Sequence, residues 1–479
     1  MVAATQELVH PHERTARKRY GVAIRLGFSF LMFGLMGYLR AQNILTAEHD
    51  LGAYALVSLG FILLAAYNFS IVLGSIGVPH VTAYLLIGIL SGPYVFNLFS
   101  TDVVKELGLV NNLALGLIAF IAGGELRLRI LRERWKSISL MMVCEMTCVF
   151  LVCGLGMLAI AQFLPFFGKV SGQFPSLSLA LAFIGCILVS SPAVTISMMN
   201  EYRPTGPVSQ TTLGIVVLKD IVVVLIFGLT LALTKMLSLS DAQVSLTGLA
   251  LHFVKELGLS VLFGLVAGLI VSIYLKYIRT NLVFFTVGLS LFAFHVAKML
   301  HLDPVLLCLV AGFFVENFTR QGERFLENLE HTFSVVFVIF FTVAGAKLNL
   351  TALATVWPIA ILFVILRMVS LYAGTQLGAK LSNASPEVAR LTWLGLIPQA
   401  GVALGLVIIV EQAFPGWGAD LATIIVAMIG IHETLGPLAF RLALSMSGEM
   451  NREQITHDQK MLQEWDASTS PEMNPNAIW

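Results

Sequence analysis

The chain has 479 residues, 57% of them hydrophobic and 12% charged, with a formal net charge of +1 and a mean hydropathy of +0.86. Soluble domains carry roughly 45–50% apolar and about 25% charged residues, so a water-soluble fold has nowhere to bury this surplus. Basic residues cluster only in short loops, which excludes a nucleic-acid partner and points to loops that orient membrane helices.

Crossing a hydrocarbon core of ~30 Å takes about 20 apolar residues, and the chain divides into about fourteen such runs. A cytoplasmic segment, 1–19, holds Arg14, Arg17, Lys18 and Arg19. The next run, 20–40, is longer than a signal-peptide core and is expected to remain as an extra N-terminal transmembrane helix. Runs at 51–75, 80–99, 104–126, 137–165, 174–200 and 206–236 make a first six-helix repeat over 51–236. A linking helix, 249–278, leads to a second repeat over 281–446, with runs at 281–300, 302–318, 324–350, 351–382, 386–414 and 418–446. The remainder, 447–479, reads as a solvated acidic tail in the cytoplasm.

Loop charge tests this division. With the amino terminus in the cytoplasm, Arg127, Arg129, Arg132, Arg134 and Lys136 all fall inside. So do Arg203, Lys276, Arg279, Arg320, Arg324, Lys380, Arg390 and Arg441, as the positive-inside rule requires. Both termini are then cytoplasmic.

Two runs carry polar, proline-broken centres at matching places in the two repeats. Segment 174–200 has Ser190-Ser191-Pro192, and segment 386–414 has Pro398-Gln399-Ala400-Gly401. Paired interruptions of this kind point to an inverted-repeat transporter whose site lies at the breaks.

Ionisable groups inside the membrane are costly and few. Asp220 sits mid-run in 206–236, Arg367 in 351–382 and Glu145 in 137–165. A buried carboxylate holds a dehydrated alkali cation through hard oxygens or takes a proton instead, so one group serves both ions in turn. The break at Ser190, Ser191 and Pro192 frees carbonyl and hydroxyl oxygens for such an ion, and Thr195 lies one turn further on. Lys219 precedes Asp220, but neighbouring helix positions point about 100° apart. Lys219 is therefore expected to pair with another helix, with Glu145 as its partner, and Arg367 to belong to a buried ion pair. His432-Glu433 resembles the start of a zinc-binding H-E-x-x-H, but Gly436 occupies the second ligand position. His295 and Lys347 read as interfacial or packing groups.

These segments resemble the cation:proton antiporter superfamily, in the branch of bacterial sodium/proton antiporters and potassium efflux transporters. The resemblance is carried by Ala83-Tyr-Leu-Leu-Ile-Gly-Ile-Leu-Ser-Gly-Pro93, Ile121-Ala-Gly-Gly-Glu125-Leu and Ser190-Ser191-Pro192. Lys219-Asp220, Phe340-Phe341-Thr342-Val343-Ala344-Gly345 and Arg367 complete it, over residues 51–446. It implies an all-α polytopic fold with two crossing broken helices, a homodimer in a bacterial inner membrane, and exchange of Na+ or K+ for protons. Ser190, Ser191, Thr195 and Asp220 would bind the ion, and no cofactor is implied beyond the transported ions and surrounding lipid. This chain departs from the branch in carrying Lys219 where Asp, Asn or Gln is usual, and in its helix at 20–40. A second acid at that position accompanies electrogenic exchange in the superfamily; with Lys219 held by Glu145, one-for-one exchange is expected.

Two other readings compete. One is a sodium-coupled organic-anion symporter on a related fold, with Asp220 holding the coupling ion. The other, of a different class, is an intramembrane enzyme or sensor. Against an aspartyl protease, Val217-Leu218-Lys219 provides no glycine before Asp220.

Overall fold

The computed structural model describes residues 11–42, 47–164, 175–238, 246–278, 282–300, 302–319, 322–348, 350–399 and 401–450. The first ten residues, Ala400 and nearly all of the acidic tail lie outside these ranges. All regular structure among the described residues is helical.

The chain opens with α1 (Pro11–Ala41), then α2 (Ala47–Phe61), which runs through a π turn at Ile62–Ala66 into α3 (Tyr67–Ser75). There follow α4 (His80–Ser91), the short α5 (Thr101–Glu106), α6 (Gly108–Glu125) and α7 (Leu128–Ile160). The run 174–200 is two half-helices, α8 (Pro175–Ile187) and α9 (Pro192–Tyr202), and α10 (Pro207–Ser238) closes the first half. After α11 (Leu246–Tyr277), the second half contains α12 (Leu282–Met299), α13 (Pro304–Phe318), α14 (Gly322–Lys347) and α15 (Leu350–Ser382). It ends on another broken pair, α16 (Pro386–Gly395) and α17 (Gly401–Ala413), and on α18 (Gly418–Met446).

One expected boundary is corrected. The run 80–99 is helical only to Ser91, because Gly92 and Pro93 stop it and the chain turns through 92–100 before α5. By length and apolarity, five described stretches qualify as complete spans, namely Leu51–Ser75, Leu128–Phe163, Lys255–Tyr277, Leu353–Ser382 and Gly418–Met446. A bent α10 makes a sixth, and shorter apolar helices such as His80–Ser91 and Pro304–Phe318 lie among them. The count of about fourteen spans remains an expectation.

Helices α7, α8, α10 and α15–α18 pack mainly on one another, and α4, α6 and α11–α14 form a second bundle with α1–α3 at its flank. The two bundles meet along a seam where α9 touches α6, α10 touches α11, and α18 touches α4. Inside the first bundle α7 and α15 cross in close contact. A Cβ at Gly374 would lie 2.3 Å from the Glu145 Cα, so only glycine lets these backbones approach.

Helix starts follow ordinary capping chemistry. Ser191 caps α9 by accepting from the Val194 N–H at 3.4 Å, with Pro192 in the first turn. The start of α10 is capped from a distant part of the chain. Glu449, just after α18, accepts the Val208 and Ser209 N–H groups at 2.6 and 2.8 Å.

Candidate ion site

The two broken helices meet at their breaks. The Ser191 N–H donates to the Pro398 carbonyl at 2.8 Å, and the Ser190 hydroxyl donates to the Leu396 carbonyl at 2.9 Å. Pro192 occupies the first turn of α9, and Gly401 begins α17. Gln399 is fully buried between the halves. Each break exposes the carbonyl end of one half-helix, α8 or α16, which in a dry core must find donors.

Arg367 supplies them. Its guanidinium, fully buried on α15, donates to the carbonyls of Ile187 (3.2 Å) and Val189 (2.8 Å) at the end of α8. It also donates to those of Leu396 (3.3 Å) and Ile397 (2.9 Å) at the end of α16, and to the Ser190 hydroxyl (3.3 Å). This corrects the expected ion pair, since every hydrogen bond described for Arg367 ends on a carbonyl or hydroxyl oxygen. A planar cation with five N–H donors can cap two helix C-termini at once, and their dipoles favour positive charge there.

Lys219 and Glu145 form a buried salt bridge between α10 and α7. The lysine ammonium also donates to the Ser190 hydroxyl at 3.1 Å. Asp220, one residue on, points elsewhere, as helix geometry requires. Both its carboxylate oxygens are buried, and neither has a hydrogen-bond partner among the described residues. In a low-dielectric interior such a group calls for a proton or a metal cation.

The three hydroxyls expected to join Asp220 are engaged within the protein. Ser190 bonds to Leu396, Lys219 and Arg367; Ser191 caps α9; Thr195 donates to the Ser191 carbonyl at 3.2 Å. The reason is local, because a broken helix needs its own side chains to satisfy the groups that the break frees. Ser190 and Ser191 nevertheless line a small cavity of about 20 Å³, bounded also by Pro192, Ala119 of α6 and Val305 of α13.

Sequence reasoning passed over two groups of residues. Asp303 caps α13, its Oδ1 accepting from the Val305 and Leu306 N–H groups at 2.9 and 3.0 Å. The available signal was Asp303-Pro304 near the head of the run 302–318, an N-cap residue followed by proline. Glu433, on α18, is 1% exposed, and neither carboxylate oxygen has a described partner. It shares a helix face with Gly430, which lies against Leu348, and with Gly436, which lies against Pro398. Among the described residues no group of His, Cys, Asp and Glu has the arrangement of a metal centre.

Known proteins resemble this chain over most of its length. A family described as "Sodium/hydrogen exchanger, transmembrane" matches residues 58–441. A Na(+)/H(+) antiporter of Enterococcus hirae is 24% identical over 346 residues, covering 70% of this chain and 84% of that protein. The sodium proton antiporter MjNhaP1 of Methanocaldococcus jannaschii at pH 8 superimposes with a TM-score of 0.62 at 16% identity, over 82% of this chain and 97% of that one. An electron-microscopy structure of the same antiporter gives a TM-score of 0.67 at 15% identity, over 83% and 96% of the two chains. Those two likenesses bear on the fold, and the match across 58–441 bears on descent: this chain is an integral membrane transporter belonging to the sodium/hydrogen exchanger family.

Proposed function

We propose that the chain is a secondary transporter exchanging Na+ for H+, with Asp220 binding the two ions in turn. The observation that carries this reading is the Asp220 carboxylate, buried beside the helix breaks with neither oxygen partnered. The ammonium of its neighbour Lys219 is turned to Glu145 and Ser190, with no hydrogen bond to Asp220 described. Potassium, left open by the sequence, is named by none of the relatives described above. The organic-anion symporter, intramembrane enzyme and sensor readings find no support in the family.

The bundle of α7–α10 and α15–α18 carries the site, and the other bundle serves as scaffold and makes a homodimer within the lipid. The basic loops support cytoplasmic termini, and the resemblance to bacterial antiporters supports a bacterial inner membrane. Proteoliposomes with an internal pH dye test the reading. Added Na+ should move protons in wild type and not in Asp220→Asn, while K+ should be far weaker. Equal responses in the two proteins would remove Asp220 from the mechanism.

A further inference from the structure

We propose that the cavity between α1, α3 and α4 binds one acyl chain of an anionic phospholipid, taken from the leaflet at the amino-terminal side of α1. The proposal goes beyond ion exchange and does not depend on which ions are moved.

The cavity has a volume of about 400 Å³. One wall is a stripe of α1, with Leu26, Phe30, Phe33 and Gly37 at helical spacing, and α3, α4 and the turn after α4 supply the other. Ser29 is the single polar side chain among the described residues lining it, and its hydroxyl is spent on the Arg25 carbonyl at 2.9 Å. A cavity without polar partners does not hold water and takes hydrocarbon instead. From Leu26 to Gly37 the helix rises about 16 Å, about half the ~30 Å hydrocarbon core of a bilayer, which is the depth that one acyl chain fills. Phe30 is 72% exposed and Phe96 58%, so one side of the cavity meets the surrounding lipid. Phe33 packs edge-to-face on Phe61 at 5.1 Å and on Phe96 at 6.2 Å, which fixes the aromatic wall.

Charge decides which end takes the headgroup. The far end is tied shut, since Arg40 donates to the Tyr54 hydroxyl at 3.0 Å and that hydroxyl donates to the Leu98 carbonyl at 2.6 Å. At the near end the Arg25 guanidinium reaches Asn68 of α3 at 3.4 Å, beside Phe69 of the lining. Arg14, Arg17, Lys18 and Arg19 occupy the preceding turns of α1. Basic residues grouped at the end of a membrane helix attract anionic headgroups, and a guanidinium fork suits phosphate.

The test is photolabelling in vesicles of phosphatidylcholine that carry a trace of phosphatidylglycerol or phosphatidylcholine with a diazirine in the acyl chain, mapped by peptide mass spectrometry. Phosphatidylglycerol should label the lining peptides of α1 and α4 several-fold more than the choline lipid, and Arg25→Gln should remove that preference. Gly37→Phe should cut the label several-fold at unchanged Tm, because a Cβ there meets only the Leu98 Cδ2, at 3.9 Å, and the ring enters the cavity. Gly34→Phe, which lies off the lining with nothing within 4 Å of a Cβ, should label as wild type does. Equal labelling of Gly37→Phe and wild type would overturn the proposal, and so would equal labelling of wild type by the two lipids. Unlabelled lining peptides, with α1 of two copies joined by a chemical crosslinker, would give the cavity to a second copy and overturn it as well. The comparison of the two lipids on wild type needs no variant, so it remains decisive if Gly37→Phe fails to fold.

Discussion

Helices α10 and α18 close the two halves of the molecule, and each carries a basic residue followed by an acid near its middle, Lys219-Asp220 and His432-Glu433. Both acids have buried oxygens without described hydrogen-bond partners. Their surroundings differ. Asp220 follows Lys219, which reaches Glu145 and Ser190 of the break, and the residue is only half-buried; Glu433 is 1% exposed on a helix face packed against Leu348 and Pro398. A carboxylate at the break with some access from outside can exchange its ion, while one sealed by packing is poorly placed to do so. The comparison explains why only one of two similar acids is expected to be the transport site. The helices beneath them diverge in the same way. Glu145 and Arg367 sit midway along α7 and α15, each 33 residues long, but Glu145 answers a lysine and Arg367 answers carbonyls.

The sharpest way to break this comparison is to neutralise each acid in turn. Asp220→Asn should abolish Na+-driven proton movement, and Glu433→Gln should leave most of it, both read in the same dye assay. If Glu433→Gln silences transport as completely, the two acids are equivalent and the argument from their different surroundings fails.

Arg367→Ala should be the most destabilising change, because it strips donors from the ends of α8 and α16 together. Leaving buried carbonyls unpaired should cost at least about 4 kcal/mol, seen as a lower Tm in detergent. Arg367→Lys keeps the charge but loses the planar fork, so its Tm should fall between the two. An unchanged Tm in Arg367→Ala would mean that water replaces the guanidinium.

Lys219→Met leaves Glu145 as an unpaired buried charge, at a cost of about 3–4 kcal/mol. Combining it with Glu145→Leu should recover much of that loss, since a buried pair replaced by apolar groups is often near neutral. Failure of the double variant to recover would show that Lys219 works mainly through Ser190.

The smallest expected effect is that of membrane potential. With Lys219 held by Glu145, one cation exchanges for one proton, and the ~2.3 kcal/mol per charge available at 100 mV does no net work. A valinomycin-set potential should therefore leave Na+ uptake unchanged at a fixed pH gradient. Uptake that follows the potential would make Lys219 a proton carrier.

Much of this was legible in the sequence, for uneven reasons. The Lys219–Glu145 pair follows from scarcity, because few charges lie mid-run and a lysine there needs an acid. The breaks at Ser190–Pro192 and Pro398–Gly401 announce themselves through proline beside serine or glutamine in apolar runs. The partners of Arg367 left no trace, since backbone carbonyls have no sequence identity and the two helix ends converge only in the fold. Glu433 was judged against a zinc motif and set aside, and its resemblance to Asp220 emerges only when α10 and α18 are placed in the same role. The stop at Ser91 was readable in Gly92-Pro93 but was overridden by the apolar residues that follow.

The cap that Glu449 makes on α10 joins the two closing helices at one end. The chain leaves α18 and within three residues grips the first turn of α10, so the pair is hinged there like tongs. Gly206 has no room for a side chain beneath that grip, since a Cβ would lie 2.2 Å from the Glu449 Cδ. The cap ties the start of α10 to the end of α18, so the residues after α18 become a handle on the ion-bearing helix. Truncation before Glu449 would release that handle, with a loss of about 1 kcal/mol at the cap, and its first symptom should be altered transport kinetics rather than unfolding.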